Sequence, residues 1–330
     1  MPYSIEDKLV IAVASSALFD LAESDAVFRE HGEDAYRAFQ STNRTQLLPR
    51  GVAFPFVRRL LSINRSYPDR LPVEVILLSR NDPETGLRVF DSIAKYGLDI
   101  TRAAFLKGKS PYEYIPAFNV SLFLSANEAD VRSAVSAGYP AGVVLPTQFS
   151  DEDADHELRI AFDFDGIIAD DESEIVFQRF GGLEPFQSHE VQRVNVPHNP
   201  GPLAALFQKL AFFQKLERKR LREDAAYKRI LRTAIVTARG APAHERVVTT
   251  LKKLGIAPDE TFFMGGIDKI RVLQVFKPHM FFDDQLAHLS SGAGSVPSVH
   301  VPFGTRNLPQ VNEGSGRMSP EMARALQPEQ

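Results

Sequence analysis

The chain contains no cysteine. That excludes disulfides, a thiolate nucleophile, and zinc or iron–sulfur sites held by cysteine. Nor does it contain an apolar run of the ~18 residues needed to cross a bilayer. The opening residues, Met1-Pro-Tyr-Ser-Ile-Glu-Asp-Lys, lack a basic segment followed by an apolar one, so no signal peptide is expected. Positive charge is not in excess. Lys and Arg number 38 against 42 Asp and Glu, a net charge of −4, which gives no basic field for nucleic acid. The one basic run, Lys215 to Arg222, contains Glu217 and reads as a solvated helix face. Together these absences predict a soluble, cytoplasmic protein with neither nucleic acid nor membrane as a partner.

What is present is an ordinary globular composition. At 44% hydrophobic the chain is too apolar for disorder, and 330 residues are enough to bury a large core without staples. The length corresponds to about two domains. Short apolar runs at Leu9–Ala14, Val75–Leu78, Ile160–Phe162 and Ala234–Val236 read as buried parallel strands. Two weaker strands end at Leu124 and Phe282, and helical stretches such as Arg88–Tyr96 and Glu245–Leu254 lie between. Alternating strands and helices predict an α/β fold with a parallel sheet. The acidic segment Asp151–Glu157 reads as a linker. The stretch 307–330 reads as a flexible tail, with one helical turn expected after Ser319-Pro320.

The two halves of the sequence also align with each other. At an offset of 149, Ile11-Ala12 falls on Ile160-Ala161, Glu23-Ser24 on Glu172-Ser173, and Gly32 on Gly181. At 150, Gly51 meets Gly201. At 158, Ser79 meets Thr237, Gly97 meets Gly255, Gly108 meets Gly266, and Phe123 meets Phe281. This predicts two tandem Rossmannoid domains, 1–148 and 158–306, each with a helical cap insert. The second insert spans about 170–230.

Chemistry concentrates in the second copy. The strand Ile160–Phe162 runs into Asp163-x-Asp165, placing two carboxylates at the carboxyl end of a parallel strand, where open α/β sheets bind ligands. Such close carboxylates repel unless a cation or a shared proton intervenes. Alone, the pattern also suits a glycosyltransferase metal motif or a helix cap. It does not suit a calcium loop, because Gly166 comes too early. Three features follow in order: Thr237 ending a strand, Lys269 after Gly265-Gly266, and Asp283-Asp284 ending another apolar strand.

This series resembles the haloacid dehalogenase superfamily of phosphohydrolases, and more closely the type I cytosolic 5′-nucleotidases. The closer likeness rests on Asp171-Glu-Ser-Glu174, Gly201-Pro-Leu, Val236-Thr-Ala-Arg239, Lys277-Pro-His and Phe281-Phe-Asp-Asp-Gln285. In the first copy it rests on Ala17-Leu-Phe, Gly108-Lys-Ser-Pro111 and Leu122-Phe-Leu-Ser-Ala126. The resemblance implies a hydrolase of nucleoside 5′-monophosphates, AMP, dAMP or IMP first. It makes Asp163 the nucleophile, Asp165 the proton donor and then the base, and Thr237 and Lys269 the phosphoryl ligands, with Arg239 also at the substrate. Magnesium is implied on the Asp163 carboxylate, the Asp165 carbonyl and Asp283, with Asp284 acting at a remove. An insert at this place in the superfamily covers the active site. Phe180, Phe186, His189, Phe207, Phe212 and Phe213 are its candidates for stacking on a base.

At the catalytic positions the first copy has Ala14, Ser16, Ser125 and Ala126, so it cannot bind the metal or form a phosphoenzyme in this way. It retains Ser79-Arg80, with Lys107 and Lys109 flanking Gly108. It is expected to be a scaffold or a regulatory nucleotide site. Two other readings stay open: a phosphatase for another small metabolite, and a nucleotide-binding regulator with little turnover. Self-association into a homo-oligomer is a further expectation.

Overall fold

A computed structural model describes residues 4–148, 150–291 and 294–308. The first half runs β1 (Leu9–Val13), α1 (Ser15–Leu18), α2 (Ala22–Thr42), α3 (Phe54–Ser66), β2 (Val73–Ser79), α4 (Gly86–Lys95), β3 (Arg102–Phe105), β4 (Leu122–Ser125), α5 (Glu128–Ser136) and β5 (Ala141–Val144). The second runs β6 (Leu158–Phe162), α6 (Glu172–Phe180), α7 (Leu183–Gln192), α8 (Ala204–Glu223), β7 (Leu231–Thr237), α9 (His244–Leu254), β8 (Glu260–Phe263), α10 (Ile270–Phe276), β9 (Met280–Asp283), α11 (Leu286–Ser291) and β10 (Ser298–His300). The strands read from the sequence are there. They appear as unbroken apolar runs because both faces of β1, β2, β6 and β7 are covered along almost their whole length.

The ten strands among the described residues form one sheet, ordered β3-β2-β1-β4-β5-β10-β9-β6-β7-β8. The fold is therefore α/β with a mostly parallel sheet. Its one antiparallel pairing joins β5 to β10, through Val144 with Val299 and Val143 with His300. That seam turns one half over relative to the other. The carboxyl ends of β1, β2 and β4 consequently face the opposite edge of the sheet from those of β6, β7 and β9.

Local detail also matches between the halves. Phe19 bridges to Arg50 and Ala169 to Pro200, each as an isolated antiparallel pair. The glycine that follows each bridge is pressed onto backbone. A Cβ on Gly51 would meet the Ala17 carbonyl oxygen at 2.8 Å, and one on Gly201 the Ile167 oxygen at 2.7 Å.

Helix α8 departs from the expected cap. Its Leu206, Phe207, Leu210 and Phe213 are buried in the main core. The Phe207 ring stacks on Phe162 of β6 at 4.7 Å, and Phe162 stacks on Phe282 of β9 at 5.1 Å. Of the expected insert, α6 and α7 line the cavity beside Asp163 and Asp165, through Phe177, Leu183 and Phe186. The basic run on α8 is not wholly solvated either. Glu217 is buried, accepting from the backbone N–H of Ile230 at 2.6 Å and of Leu231 at 3.2 Å. Arg220 lies over the Tyr227 ring at 4.9 Å.

The segment 151–157 is pinned. Asp151 sits 2.7 Å from Arg59, 3.2 Å from Arg58 and 3.5 Å from Arg50, all from the first half. The Arg59 side chain is only 2% exposed. Breaking a buried ion pair on one side strands the other charge, at a cost of about 3–5 kcal/mol. Asp151→Ala is therefore expected to lower the midpoint of denaturant unfolding markedly. Arg50→Ala, at the exposed rim of the cluster, should cost about 1 kcal/mol or less. Equal midpoints for Asp151→Ala and wild type would contradict this assignment.

The helical turn expected after Ser319 lies outside the described residues. Among the described residues, no helix is long and apolar enough to cross a membrane.

Candidate active site

Strand β6 lies between β7 and β9 in parallel register, with Phe162 opposite both Ile235 and Phe282. This register brings Asp163, Thr237 and Asp283 to one edge of the sheet. Asp163 leaves β6 with its backbone N–H on the Phe282 carbonyl at 2.8 Å. Its Oδ1 accepts from the Phe164 N–H at 2.7 Å. Lys269, at the start of α10, reaches in from the side. Its Nζ is 2.7 Å from Asp163 Oδ2 and 2.7 Å from Asp283 Oδ2. Asp283 Oδ1 accepts from the Gln285 N–H at 2.8 Å, and His288 Nδ1 lies 3.1 Å from Asp283 Oδ2.

Asp284 is placed by its neighbours rather than by its own side chain. Its carbonyl lies 3.1 Å from His300 Nε2 and accepts from Asn307 Nδ2 at 2.9 Å. The carboxylate packs against Gly166, where a Cβ would meet its Cγ at 2.6 Å. Gly166 also has φ +68°, so both space and backbone demand glycine. Asp284 Oδ1 is buried with no hydrogen-bond partner.

The electrostatics follow from this crowding. Burial pushes the Asp163 carboxyl up to about 7; the Lys269 ammonium opposes the rise, and the Asp283 and Asp165 charges add to it. Burial pushes Asp284 up to about 9, aided by the charges of Asp163 and Asp283. Asp283 is buried too, yet Lys269 and His288 hold it below the usual carboxylate range. Among the described residues, the cations that pair directly with Asp163, Asp165 and Asp283 are Lys269 and Arg239. An orphaned buried carboxylate oxygen, an excess of negative charge and an all-oxygen acidic set fit a hard divalent cation.

Asp165 lies at the mouth, with both oxygens held by Arg239 at 2.8 and 2.6 Å. Thr237 is fully buried at the end of β7, its hydroxyl accepting from the Arg239 backbone N–H at 3.2 Å. A cavity of about 460 Å³ opens beside Asp163, Asp165 and Arg239, walled on the far side by Phe177, Leu183 and Phe186 of α6 and α7. Arg306, from the turn Thr305–Asn307, pairs with Glu174 at 2.6 Å on its rim.

Of the expected aromatic residues, only Phe186 lines this cavity. Phe207 and Phe213 are core, Phe180 and Phe212 are exposed elsewhere, and His189 pairs with Glu172 at 3.0 Å. Phe177 lines the cavity unanticipated. So does His288, which joins Asp163 and Asp283 in a group with ligand atoms within 4.8 Å of one another. Nothing in the spacing of either residue marks it in the sequence. A second such group, Asp170, Glu172 and His198, is already neutralised internally, since Glu172 pairs with Arg246 at 2.8 Å and Arg193 at 2.6 Å.

The corresponding edge of the first half holds a smaller cavity of about 270 Å³, lined by Ala14, Ser16, Ser79, Arg80, Ser125 and Ala126. Asp130 grips Arg80 there at 2.9 and 2.6 Å. Lys107 and Lys109 are exposed and do not line this cavity, although the Lys107 backbone N–H donates to the carbonyl of Asn81, which does, at 3.1 Å.

Human cytosolic 5′-nucleotidase 1B is 31% identical over 304 residues, which cover 90% of this chain and 49% of that protein. The chain thus spans about half the length of that relative. Among solved structures, a histidinol dehydrogenase from Elizabethkingia anophelis aligns over 92% of this chain and 58% of its own at 9% identity and TM-score 0.20. The S. aureus MnaA–UDP structure aligns over 84% and 74%, at 9% identity and TM-score 0.17. Neither likeness carries an argument. The 5′-nucleotidase family matches residues 1–308, and with that coverage the chain belongs to the 5′-nucleotidase family.

Proposed function

We propose that this protein is a magnesium-dependent 5′-nucleotidase that hydrolyses nucleoside 5′-monophosphates through an aspartyl phosphate on Asp163. One observation carries the reading. Asp163 is a buried carboxylate at the carboxyl end of a parallel strand, 2.7 Å from the Lys269 ammonium, and it opens on the same cavity as Asp165.

An Asp163 oxygen attacks phosphorus, and the bond from phosphorus to the ribose 5′ oxygen breaks. Asp165 gives its proton to that departing oxygen, a poor leaving group as an alkoxide. In the second step Asp165 takes a proton from water, which attacks phosphorus, frees phosphate and restores Asp163. Lys269 carries the charge to hold the phosphoryl oxygens. The Thr237 hydroxyl accepts from Arg239, so its own proton remains available to donate to them. Asp163, Asp283, the Asp165 carbonyl and Asp284 are the groups to hold magnesium. When bound, the ion offsets repulsion between these carboxylates and a phosphate dianion.

Phe177 and Phe186 suit a base. Aromatic stacking is worth about 1–3 kcal/mol per base, so Phe186→Ala should raise KM for a nucleotide about tenfold or more. KM for a phosphate ester lacking a base should stay nearly constant. A proportional rise for both esters would argue against a base-stacking wall.

The matching strand order, bridges and glycines of the two halves support a tandem duplication, with domains 1–148 and 158–306. Only the second copy keeps its carboxylates, so we read the first as a scaffold. The relative's name supports both the substrate class and a cytosolic setting. Measuring phosphate release across nucleoside monophosphates and sugar phosphates tests the function. Nucleotides should lead. Faster release from sugar phosphates would favour a general metabolite phosphatase, and no release from any ester would favour a nucleotide-binding regulator.

A further inference from the structure

Arg239 faces inward from the loop after β7. Its Nε and Nη2 donate to the two oxygens of Asp165 at 2.8 and 2.6 Å, and Nη2 also donates to Ser173 Oγ at 2.6 Å. Its Nη1 donates to Glu190 Oε2. These contacts occupy the guanidinium on the protein's own groups, which is a different use from the substrate ligand expected of it. A fork-on-fork pair fixes a carboxylate in plane as well as in place.

Glu190 lies on α7, one of the two helices over the cavity, and is 1% exposed. Its Oε1 accepts from Arg246 Nη1 of α9 at 3.0 Å and from Ser173 Oγ of α6 at 3.0 Å. Its Oε2 also faces His198 Nε2 at 3.3 Å. Despite burial, His198 and Arg239 hold this carboxyl well below the usual range, so Glu190 is an anion. A buried anion is tolerable only where its partners are in place. These partners come from helices α6 and α9 and from two loops, and the line through them ends on Asp165.

We propose that Glu190 is a positioning residue for the nucleotidase reaction. It holds Arg239, Arg239 aims the Asp165 carboxyl at the leaving oxygen, and the seating of α6 and α7 is thereby linked to proton delivery. The inference rests on the reading of Asp165 as proton donor. Proton transfer is sensitive to sub-ångström aim, whereas in-line attack by Asp163 depends on groups this network does not touch.

The leaving group separates the two effects. A nucleoside alkoxide needs a proton as it departs, and 4-nitrophenolate does not. In single-turnover measurements on the full chain with magnesium, Glu190→Gln should slow nucleoside release from a nucleoside monophosphate by about tenfold or more relative to 4-nitrophenolate release from its phosphate ester. Glu172→Gln is the control, because Glu172 joins the same helices to Arg246 at 2.8 Å and makes no contact with Arg239 among the described contacts. It should leave the ratio of the two rates unchanged.

An unchanged ratio in Glu190→Gln, or the same fall in both variants, overturns the proposal in favour of simple cap docking. If Glu190→Gln does not fold, Ser173→Ala removes a lesser tie on Arg239 and should lower the same ratio; an unchanged ratio there overturns the proposal too. Failure of the underlying reading has a separate signature, since wild type would then release no nucleoside or Asp163→Asn would release it at the wild-type rate.

Discussion

Asp163→Asn abolishes phosphate release, by about 10⁴-fold or more, while the protein stays folded. The scale follows from the reaction. Phosphate monoesters are among the slowest compounds to hydrolyse unaided, so an enzyme that loses its nucleophile has little background to fall back on. Stability behaves differently. Asp163 is one of four carboxylates gathered around Lys269 and Arg239, and asparagine keeps its shape while removing one charge. Less repulsion remains, and Lys269 still has Asp283 at 2.7 Å. The metal-free variant should therefore unfold at or above the wild-type temperature. Turnover near the wild-type rate would remove Asp163 from the mechanism; loss of turnover together with loss of fold would make its role architectural.

The second large effect is the dependence on metal and pH together. Chelation should abolish turnover and magnesium should restore it. In the metal-free protein burial pushes Asp163 up to about 7 and Asp284 up to about 9. A cation must displace those protons. Apparent magnesium affinity should therefore rise with pH, by up to about tenfold per unit for each proton displaced, and level off above about 9. Stability has the opposite sign without metal. An unfolded aspartate loses its proton near 4, whereas the folded protein keeps protons on Asp163 and Asp284 to higher pH. At these two groups the folded state binds more protons than the unfolded one, so their contribution to metal-free stability falls as pH rises from about 4 to about 9, opposed below about pH 6.5 by His279, which burial pushes down to about 3. Saturating magnesium should flatten that fall. Calorimetric scans across pH, with and without the ion, measure both slopes; metal-free stability that rises from about pH 6.5 to about 9 would contradict the charge excess.

The parts legible in sequence were those with both faces buried or a dense run of chemistry. β1, β2, β6 and β7 are continuous apolar runs because nothing on them meets water. β3 and β8 were missed because their residues are only half covered, which blurs the run, and neither alternates cleanly. β5 and β10 were missed because three or four residues carry no period, yet they form the seam between the halves. Asp163, Asp165 and Asp283-Asp284 stand at strand ends in the sequence, and the sheet register brings these ends together. Glu190, His198 and Arg246 were invisible for the opposite reason. A single charged residue on a helix or loop is usually solvated, and only packing reveals that α7, α9 and the connection before α8 turn these toward one another. Helix α8 comes after α7 in the chain, but its apolar side faces the sheet, with Phe207 stacked on Phe162.

The most direct test of the account is to find where the phosphoryl group goes. The protein, with magnesium and a nucleoside 5′-monophosphate labelled in its phosphate, is quenched in acid during turnover and mapped by mass spectrometry after digestion. The account predicts label on Asp163, stable in acid and released by base or hydroxylamine as an acyl phosphate is. Label on another residue, or none while phosphate and nucleoside are being released, would contradict it.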